Sequence, residues 1–154
     1  MEIIHVRAED EAPAHRRDHP DYEYIKRELV SNNGKRGCRA SLMELMPGKS
    51  SYPYHYHMQV EECFYIISGE GMVRTPRGEA PVRPGDFLYF PSGEAGAHKL
   101  TNISDSEPLR YLDFDTAYPV DVALYPDSGK IGVYGGSNAY IHHVNRQAAY
   151  YDGE

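Results

Sequence analysis

The sequence predicts an all-β domain, a barrel or sandwich of short strands, and three observations carry that expectation. Gly (14) and Pro (11) fall as punctuation between short apolar runs, the spacing that turns impose on antiparallel strands. Those runs are strand-sized and follow one another quickly. No segment of helical length keeps a 3.6-residue apolar period. With 154 residues, 40% hydrophobic and 25% charged, the chain has material for one sizeable core and is too short for two large domains.

Taken in order, residues 1–21 form a polar arm crowded with Asp, Glu, His and Pro, with Ile3, Ile4 and Val6 as its pairing residues. Residues 22–30 read as a strand or one short helix. Ser31-Asn32-Asn33-Gly34 is a turn. Strands are then expected at 38–46, 52–57, 62–68, 72–75, 79–82, 87–90, 98–102 and 109–114. Each break holds a turn former: Pro47-Gly48, Ser68-Gly69-Glu70-Gly71, Pro76-Arg77-Gly78, Pro84-Gly85 and Pro91-Ser92-Gly93, where Gly supplies positive φ and Pro a fixed one. Weaker strand signals at 131–134 and 139–144 belong to a Gly-, Tyr- and Asp-rich tail. The expected organisation is an N-terminal arm (1–21), a β-barrel domain (22–118) and an extension (119–154) packed along the barrel.

Charge excludes some partners. Lys and Arg number 16 against 23 Asp and Glu, a net charge of −7, so the surface repels phosphate backbones and anionic lipid. The basic pairs Arg16-Arg17 and Lys35-Arg36 are too short to reverse this. Neither nucleic-acid nor membrane partners are expected. No apolar run approaches the roughly 20 residues of a membrane helix, and no secretory leader is evident, so a cytoplasmic location is the expectation. Two cysteines, Cys38 and Cys63, do not make a disulfide framework; Cys63, inside an apolar run, reads as a buried reduced thiol.

The chemistry lies in the histidines. His55 and His57 stand two apart in an expected strand, so both imidazoles leave one face, about 6.5–7 Å apart along the chain. Glu62 opens the next strand on a face otherwise apolar (Phe64, Ile66), where a lone carboxylate needs a cation or a proton. His98 opens a later strand. Three imidazoles and one carboxylate suit one divalent transition-metal ion (Fe, Mn, Ni, Cu or Zn) and poorly suit Ca or Mg.

Two stretches then resemble a known family. Gly48 through His55-Tyr-His57, Glu62 and Gly69 is similar to the first motif of the cupin superfamily. Gly85, Pro91, Gly93, His98 and Asn102 are similar to the second. The six residues between Glu62 and Gly69 select Glu62 over Glu61. There are two departures: six residues separate Gly48 from His55 where five are usual, and four separate Gly93 from His98 where two are usual. The resemblance to small, single-domain cupins of the cupin-2 type implies an antiparallel jelly-roll barrel of two sheets. It also implies His55, His57, Glu62 and His98 as metal ligands near one open end, and a homodimer.

Four protein ligands on an octahedral ion leave two positions free, whereas a closed tetrahedral zinc site would be structural. The expected activity is therefore that of a metalloenzyme acting on a small molecule at the barrel mouth, of sugar-phosphate isomerase, epimerase or dioxygenase type. A metal- and ligand-binding or sensing module is the alternative. No catalytic residue is assigned, and no Lys/Arg cluster for a phosphate is evident. Tyr52, Tyr54 and Tyr56 alternate along the ligand strand and lie opposite the two histidines only if Pro53 leaves that strand regular; barrel packing is the role expected of them, ahead of a contact surface between subunits. Arg74 and Lys99 read as solvated, at most one of His142 and His143 faces the site, and the Asn102 amide is expected to tie the turn after His98.

Overall fold

The computed structural model describes residues 4–8, 14–31, 36–136 and 138–154. The expected turn at Ser31–Gly34 falls, beyond Ser31 itself, outside the described residues, as do Ile3 and Lys35. Among the described residues the strands are β1 (Ala14–Arg17), β2 (Tyr24–Val30), β3 (Gly37–Leu45), β4 (Tyr56–His57), β5 (Glu62–Ser68), β6 (Gly71–Thr75), β7 (Gly78–Val82), β8 (Phe87–Phe90), β9 (Lys99–Asn102), β10 (Leu109–Ala117), β11 (Val120–Tyr125), β12 (Lys130–Gly135) and β13 (Asn138–His143). Helix is confined to two 3₁₀ turns, Glu94–Gly96 and Pro126–Ser128, and no helix is long and apolar enough to cross a membrane.

The strands form an antiparallel jelly-roll barrel. A six-stranded sheet in the order β1-β2-β3-β10-β5-β8 faces a three-stranded sheet β7-β6-β9 and a four-stranded sheet β13-β12-β11-β4. The ambiguous stretch after Tyr22 is a strand, because β3 offers it a full antiparallel edge: Tyr24 pairs with Leu45, and Lys26 with Met43. Part of the polar arm pairs in turn, as β1 on β2. The turn at Gly69 needs glycine twice over. Its φ is +85°, and a Cβ would stand 2.6 Å from the Pro108 carbonyl oxygen.

What positions the site is a change of character along the inward faces. The six-stranded sheet meets the three-stranded one over an apolar core of Tyr24, Met43, Leu45, Phe64, Ile66, Val73, Val82, Phe90, Leu100, Leu109 and Tyr111. Burying such side chains stabilises by about 1.5–3 kcal/mol each. Two residues further along each strand, with side chains still on the same face, the interior becomes charged. On β10, Leu109 and Tyr111 give way to buried Asp113 and Asp115; on β5, Ile66 and Phe64 give way to Glu62. Register aligns the change, since Asp115 pairs with Glu62 and with Arg39, and Asp113 with Ser41. One end of the barrel is therefore filled, and the other holds a cavity of about 450 Å³.

Several sequence expectations shift. The expected strand at 52–57 is regular only at Tyr56–His57, because the chain bends through residues 51–54. Tyr52 packs 5.2 Å from the Tyr24 ring, and Tyr54 lies buried under the Arg74 guanidinium at 4.0 Å, so the three tyrosines do not share a face. Arg74 is partly exposed, as expected, and forms a surface bidentate pair with Asp127 at 2.6 and 2.9 Å. Lys99 is half-buried with Nζ 5.6 Å from the Tyr22 ring centroid. Cys63 is half-buried and free, not buried, because its neighbours Glu62 and Phe64 take the inward positions.

Asn102 plays the structural part expected of it. Its amide donates to the Leu45 carbonyl (2.9 Å) and the Glu107 carbonyl (2.8 Å), and its Oδ1 accepts from the Ser104 N–H (2.9 Å). Asn102→Ala takes away the partner of two carbonyls and one N–H at a position only 1% exposed, and is expected to cost roughly 2–4 kcal/mol in urea unfolding. Asn102→Asp, which keeps the acceptor but loses both donations, is expected to fall in the same range.

Candidate metal centre

His55, His57 and Glu62, close in sequence, and His98, some way along the chain, come together at the junction of filled core and cavity. Glu62 Oε2 is the common point: it lies 3.9 Å from His55 Nε2, 3.7 Å from His57 Nε2 and 3.3 Å from His98 Nε2. The ligand atoms of His55, Glu62 and His98 all fall within 4.8 Å of one another, and His57 joins them from the more open side. Backbone pairing sets this. His55 and His98 form an antiparallel bridge through both N–H···O bonds, 3.1 and 2.9 Å long. The His55 and His57 rings end 5.0 Å apart at 80°, closer than an extended strand allows, because of the bend before them.

The outward nitrogens decide the chemistry of the inward ones. His55 Nδ1–H donates to the Pro53 carbonyl at 2.8 Å and His98 Nδ1–H to the Gly96 carbonyl at 2.9 Å. His57 Nδ1 meets the Asp121 carboxylate at 2.5 Å. A carbonyl or carboxylate only accepts, so each Nδ1 carries the proton and each Nε2 keeps its lone pair aimed at Glu62. Burial, and then the neighbouring imidazoles, holds His55 down to about 4 and His98 down to about 3, so both rings stay neutral at physiological pH. Burial pushes the Glu62 carboxyl well above its usual range, with Asp115 and Asp113 adding to the effect. For Asp121 burial is the largest single influence and raises the carboxyl, but the hydrogen bond and charge interaction with His57, with the backbone N–H groups of Gln59 and Val122, together leave it below the usual value. Three imidazoles whose Nε2 atoms surround one buried carboxylate fit a divalent transition-metal ion.

The four-residue spacer before His98 also has a visible role. Glu94–Gly96 coil into a 3₁₀ turn that swings the Gly96 carbonyl onto His98. Gly96 must lack a side chain, since a Cβ would fall 1.7 Å from the Pro91 carbonyl oxygen. Phe90 stacks on the His98 ring at 3.7 Å and 14°, and Tyr125 stacks on His55 at 5.9 Å and 20°. Glu61, by contrast, turns away and accepts a hydrogen bond from the Tyr89 hydroxyl at 2.8 Å.

The cavity beside the four residues is lined by His55, His57, Glu62, Tyr52, Tyr125 and Tyr134, among others. Sequence reasoning missed its charged wall. Lys26 and Arg39 line it with Asp113 and Asp115, paired as Lys26 Nζ–Asp113 Oδ2 at 3.9 Å and Arg39–Asp115 Oδ2 at 3.1 Å. Burial, and then Asp115 beside it, lifts the Asp113 carboxyl well above its usual range. The signal was present: in Leu109-Arg-Tyr-Leu-Asp113-Phe-Asp115 the acids share the parity of the core residues Leu109 and Tyr111. Asp121 was missed too, a lone charge in the run Val-Asp-Val-Ala-Leu-Tyr. The Tyr125 and Tyr134 hydroxyls meet at 2.5 Å, and burial, then that bond, raises Tyr125. His142 and His143 are exposed on β13 and are not among the residues that line this cavity.

The family model of the cupin domain matches residues 41–115. An uncharacterized protein of Methanocaldococcus jannaschii is 35% identical over 89 residues, 57% of this chain and 69% of that protein. An oxalate-binding protein of Thermotoga maritima is 31% identical over 88 residues, again 57% of this chain and 69% of the other. A crystal structure from Acidithiobacillus ferrooxidans, named provisionally as a sugar phosphate isomerase, superposes with a TM-score of 0.80 at 26% identity, covering 95% of this chain and 96% of that one.

Two substitutions probe the outward hydrogen bonds. Asp121→Ala frees the His57 ring to turn and is expected to weaken binding of a divalent metal roughly 10–100-fold in competition with a chelator. Asp121→Asn, which keeps an acceptor for Nδ1–H, should lose less. Gly96→Ala displaces the carbonyl that orients His98 and is expected to weaken metal binding by a similar factor, with its Tm lowered as well.

Proposed function

The chain belongs to the cupin domain family, and from that premise we propose that it is a metal-dependent enzyme that isomerises or epimerises a small phosphorylated sugar. His55, His57, Glu62 and His98 are its metal ligands in this reading. The observation that carries it is the convergence of three Nε2 lone pairs on one buried carboxylate. Without a cation that carboxylate pays a desolvation cost of several kcal/mol or takes up a proton; a divalent ion offsets the charge and uses all three lone pairs. The ion, when bound, supplies Lewis acidity that polarises a substrate carbonyl and eases proton loss from the adjacent carbon.

The chain's own residues supply the rest. The Pro53, Gly96 and Asp121 acceptors fix the orientation of the three imidazoles, and burial keeps those of His55 and His98 neutral. Tyr125 and Tyr134, held hydroxyl to hydroxyl, wall the cavity beside His55 and keep bulk water from that side. Arg39, with its side chain 44% exposed and several N–H donors beyond the one spent on Asp115, brings positive charge suited to a substrate phosphate. The likeness to the Acidithiobacillus protein, which runs over almost the whole chain, supports a sugar phosphate as the substrate class. The likeness to the Thermotoga oxalate-binding protein favours a second reading, a site that holds a metal and a small dicarboxylate without turnover.

Protein purified without added metal is expected to carry about one transition-metal ion per chain by elemental analysis, and His57→Ala and Glu62→Ala to carry almost none. In deuterium oxide, the metal-loaded enzyme is expected to exchange the carbon-bound proton next to the carbonyl of a pentose or hexose phosphate, followed by NMR. Unchanged metal content in both variants would refute the ligand assignment. Ligand binding with no exchange under any of the five metals would leave the second reading in place of the first.

A further inference from the structure

The wall that β11 and β12 give the cavity carries two phenols, and the protein accounts for only one of their two hydroxyl protons. Tyr125 and Tyr134 are half-buried and line the cavity with His55 and His57. Register sets both on the inward face with Asp121: Asp121 pairs with Tyr134, Ala123 with Gly132 and Tyr125 with Lys130, and side chains two residues apart share a face. Tyr134 starts four positions from Tyr125 along that ladder, so it reaches its partner by leaning across Gly132. The glycine permits this. A Cβ there would stand 2.7 Å from a ring carbon and 2.7 Å from the hydroxyl oxygen of Tyr134. The Tyr125 ring is held in turn by stacking on His55 at 5.9 Å and 20°, and the two hydroxyl oxygens meet at 2.5 Å. One proton lies between them. Whichever tyrosine donates it, the O–H of the other is left over, and among the described residues neither hydroxyl has a second partner. A hydroxyl that already accepts a hydrogen bond is polarised into a stronger donor.

We propose that the Tyr125–Tyr134 pair is a sugar-recognition element, which donates its spare O–H to a hydroxyl oxygen of the substrate's carbon chain. The inference rests on the function proposed above and names the groups that hold the sugar away from its phosphate. In that reading the phosphate lies with Arg39 on β3, so the β11–β12 wall is left to meet the carbon chain. A sugar hydroxyl suits the pair because it, too, both donates and accepts. It can take the spare proton and return its own to a phenol lone pair. Rings that served packing alone would need no hydroxyls, and Gly132 would then weaken β12 with no gain.

The test is calorimetric titration of the protein as purified with sorbitol 6-phosphate, an open-chain polyol phosphate that cannot isomerise, and with its monodeoxy analogues, oxalate and inorganic phosphate. Each single phenylalanine variant keeps one hydroxyl, so the decisive protein is the double variant Tyr125→Phe/Tyr134→Phe, which retains both rings and the stacking on His55. It is expected to bind sorbitol 6-phosphate about tenfold more weakly or worse, with metal content and inorganic phosphate affinity unchanged, and each single variant to lose less. On the wild-type protein, removal of the contacted hydroxyl should also cost about tenfold. On the double variant the same analogue should bind like its parent, a pairing of losses that a packing role does not produce. Sorbitol 6-phosphate affinity in the double variant within twofold of wild type would overturn the proposal, as would no measurable binding by the wild-type protein. Should the double variant not fold, every deoxy analogue binding wild type within twofold of the parent would do the same. So would an oxalate affinity that falls in the double variant beside an unresponsive deoxy series, which assigns the donor to a carboxylate. Deuterium exchange by wild-type enzyme alongside any of these results leaves the proposed function standing and removes the sugar contact alone. Paired losses without exchange keep the contact and remove the turnover.

Discussion

One buried carboxylate governs the arrangement of this end of the barrel. Glu62 occupies an inward position on β5 that Phe64 and Ile66 occupy further along, so the strand carries it into the interior whatever its charge. An ionised group there is tolerable only if the surroundings answer it. Three imidazoles from two segments, residues 55–57 and the turn before β9, turn their Nε2 atoms to its Oε2, and each is fixed in that sense by an acceptor behind it. None of these acceptors is interchangeable with the others: two are carbonyls within two residues of their histidine, and one is a carboxylate from a strand 64 residues away. Orientation of the site is therefore built mainly from local turns, with a single long-range tie.

The same sheet logic extends the charged zone sideways. β2, β3, β10 and β5 run side by side, and their inward faces pass from apolar to charged at one level. This is why Lys26, Arg39, Asp113, Asp115 and Glu62 form a band and not scattered defects. Two cations against three acids leave the band short of positive charge. In the proposed reading, a divalent ion at the histidine end would answer that shortage without disturbing the Lys26 and Arg39 pairs. The apolar half of the barrel can then pack tightly, since the buried acids Glu62, Asp113, Asp115 and Asp121 are gathered at the other end.

Much of the fold was legible because turns here are chemically explicit. Pro-Gly and Ser-Gly breaks located most strands between Cys38 and Phe114 to within one or two residues, and β-barrel closure followed from their number. The four proposed ligands were legible because motif spacing constrains them even where local geometry departs from a strand, as it does at residues 51–54. What escaped was information that only pairing reveals. The parity that placed Glu62 inside applies equally to Asp113 and Asp115, but a lone acid among apolar neighbours stands out and two acids at a strand's end resemble an exposed terminus. Lys26 and Arg39 lie 13 residues apart in sequence and meet only because β2 pairs with β3. The 3₁₀ turn at Glu94–Gly96 looked like a disruption of the ligand loop, when its carbonyl is what orients His98.

Asp121 shows most clearly how the tail enters the site. The family model ends at residue 115, and β11 follows it. Yet β4, which carries His57, is only two residues long and cannot hold itself in place. Its partner is β11, through Tyr56 against Leu124 and His57 against Ala123, with Met58 N–H bonded to the Val122 carbonyl at 2.8 Å and Gly93 N–H to the His57 carbonyl at 2.7 Å. β11 therefore supplies the backbone edge that fixes His57, the carboxylate that fixes its tautomer, and Tyr125 over His55. β12 holds β11 along its whole length, so any change that loosens this hairpin reaches two of the three imidazoles at once. The histidine anchored from outside the matched region is also the one facing the open side of the cavity, where the ends of β11 and β12 line the wall. Variation in this tail can therefore retune both the cavity and one ligand while leaving His98 and Glu62, anchored within the matched region, as they are.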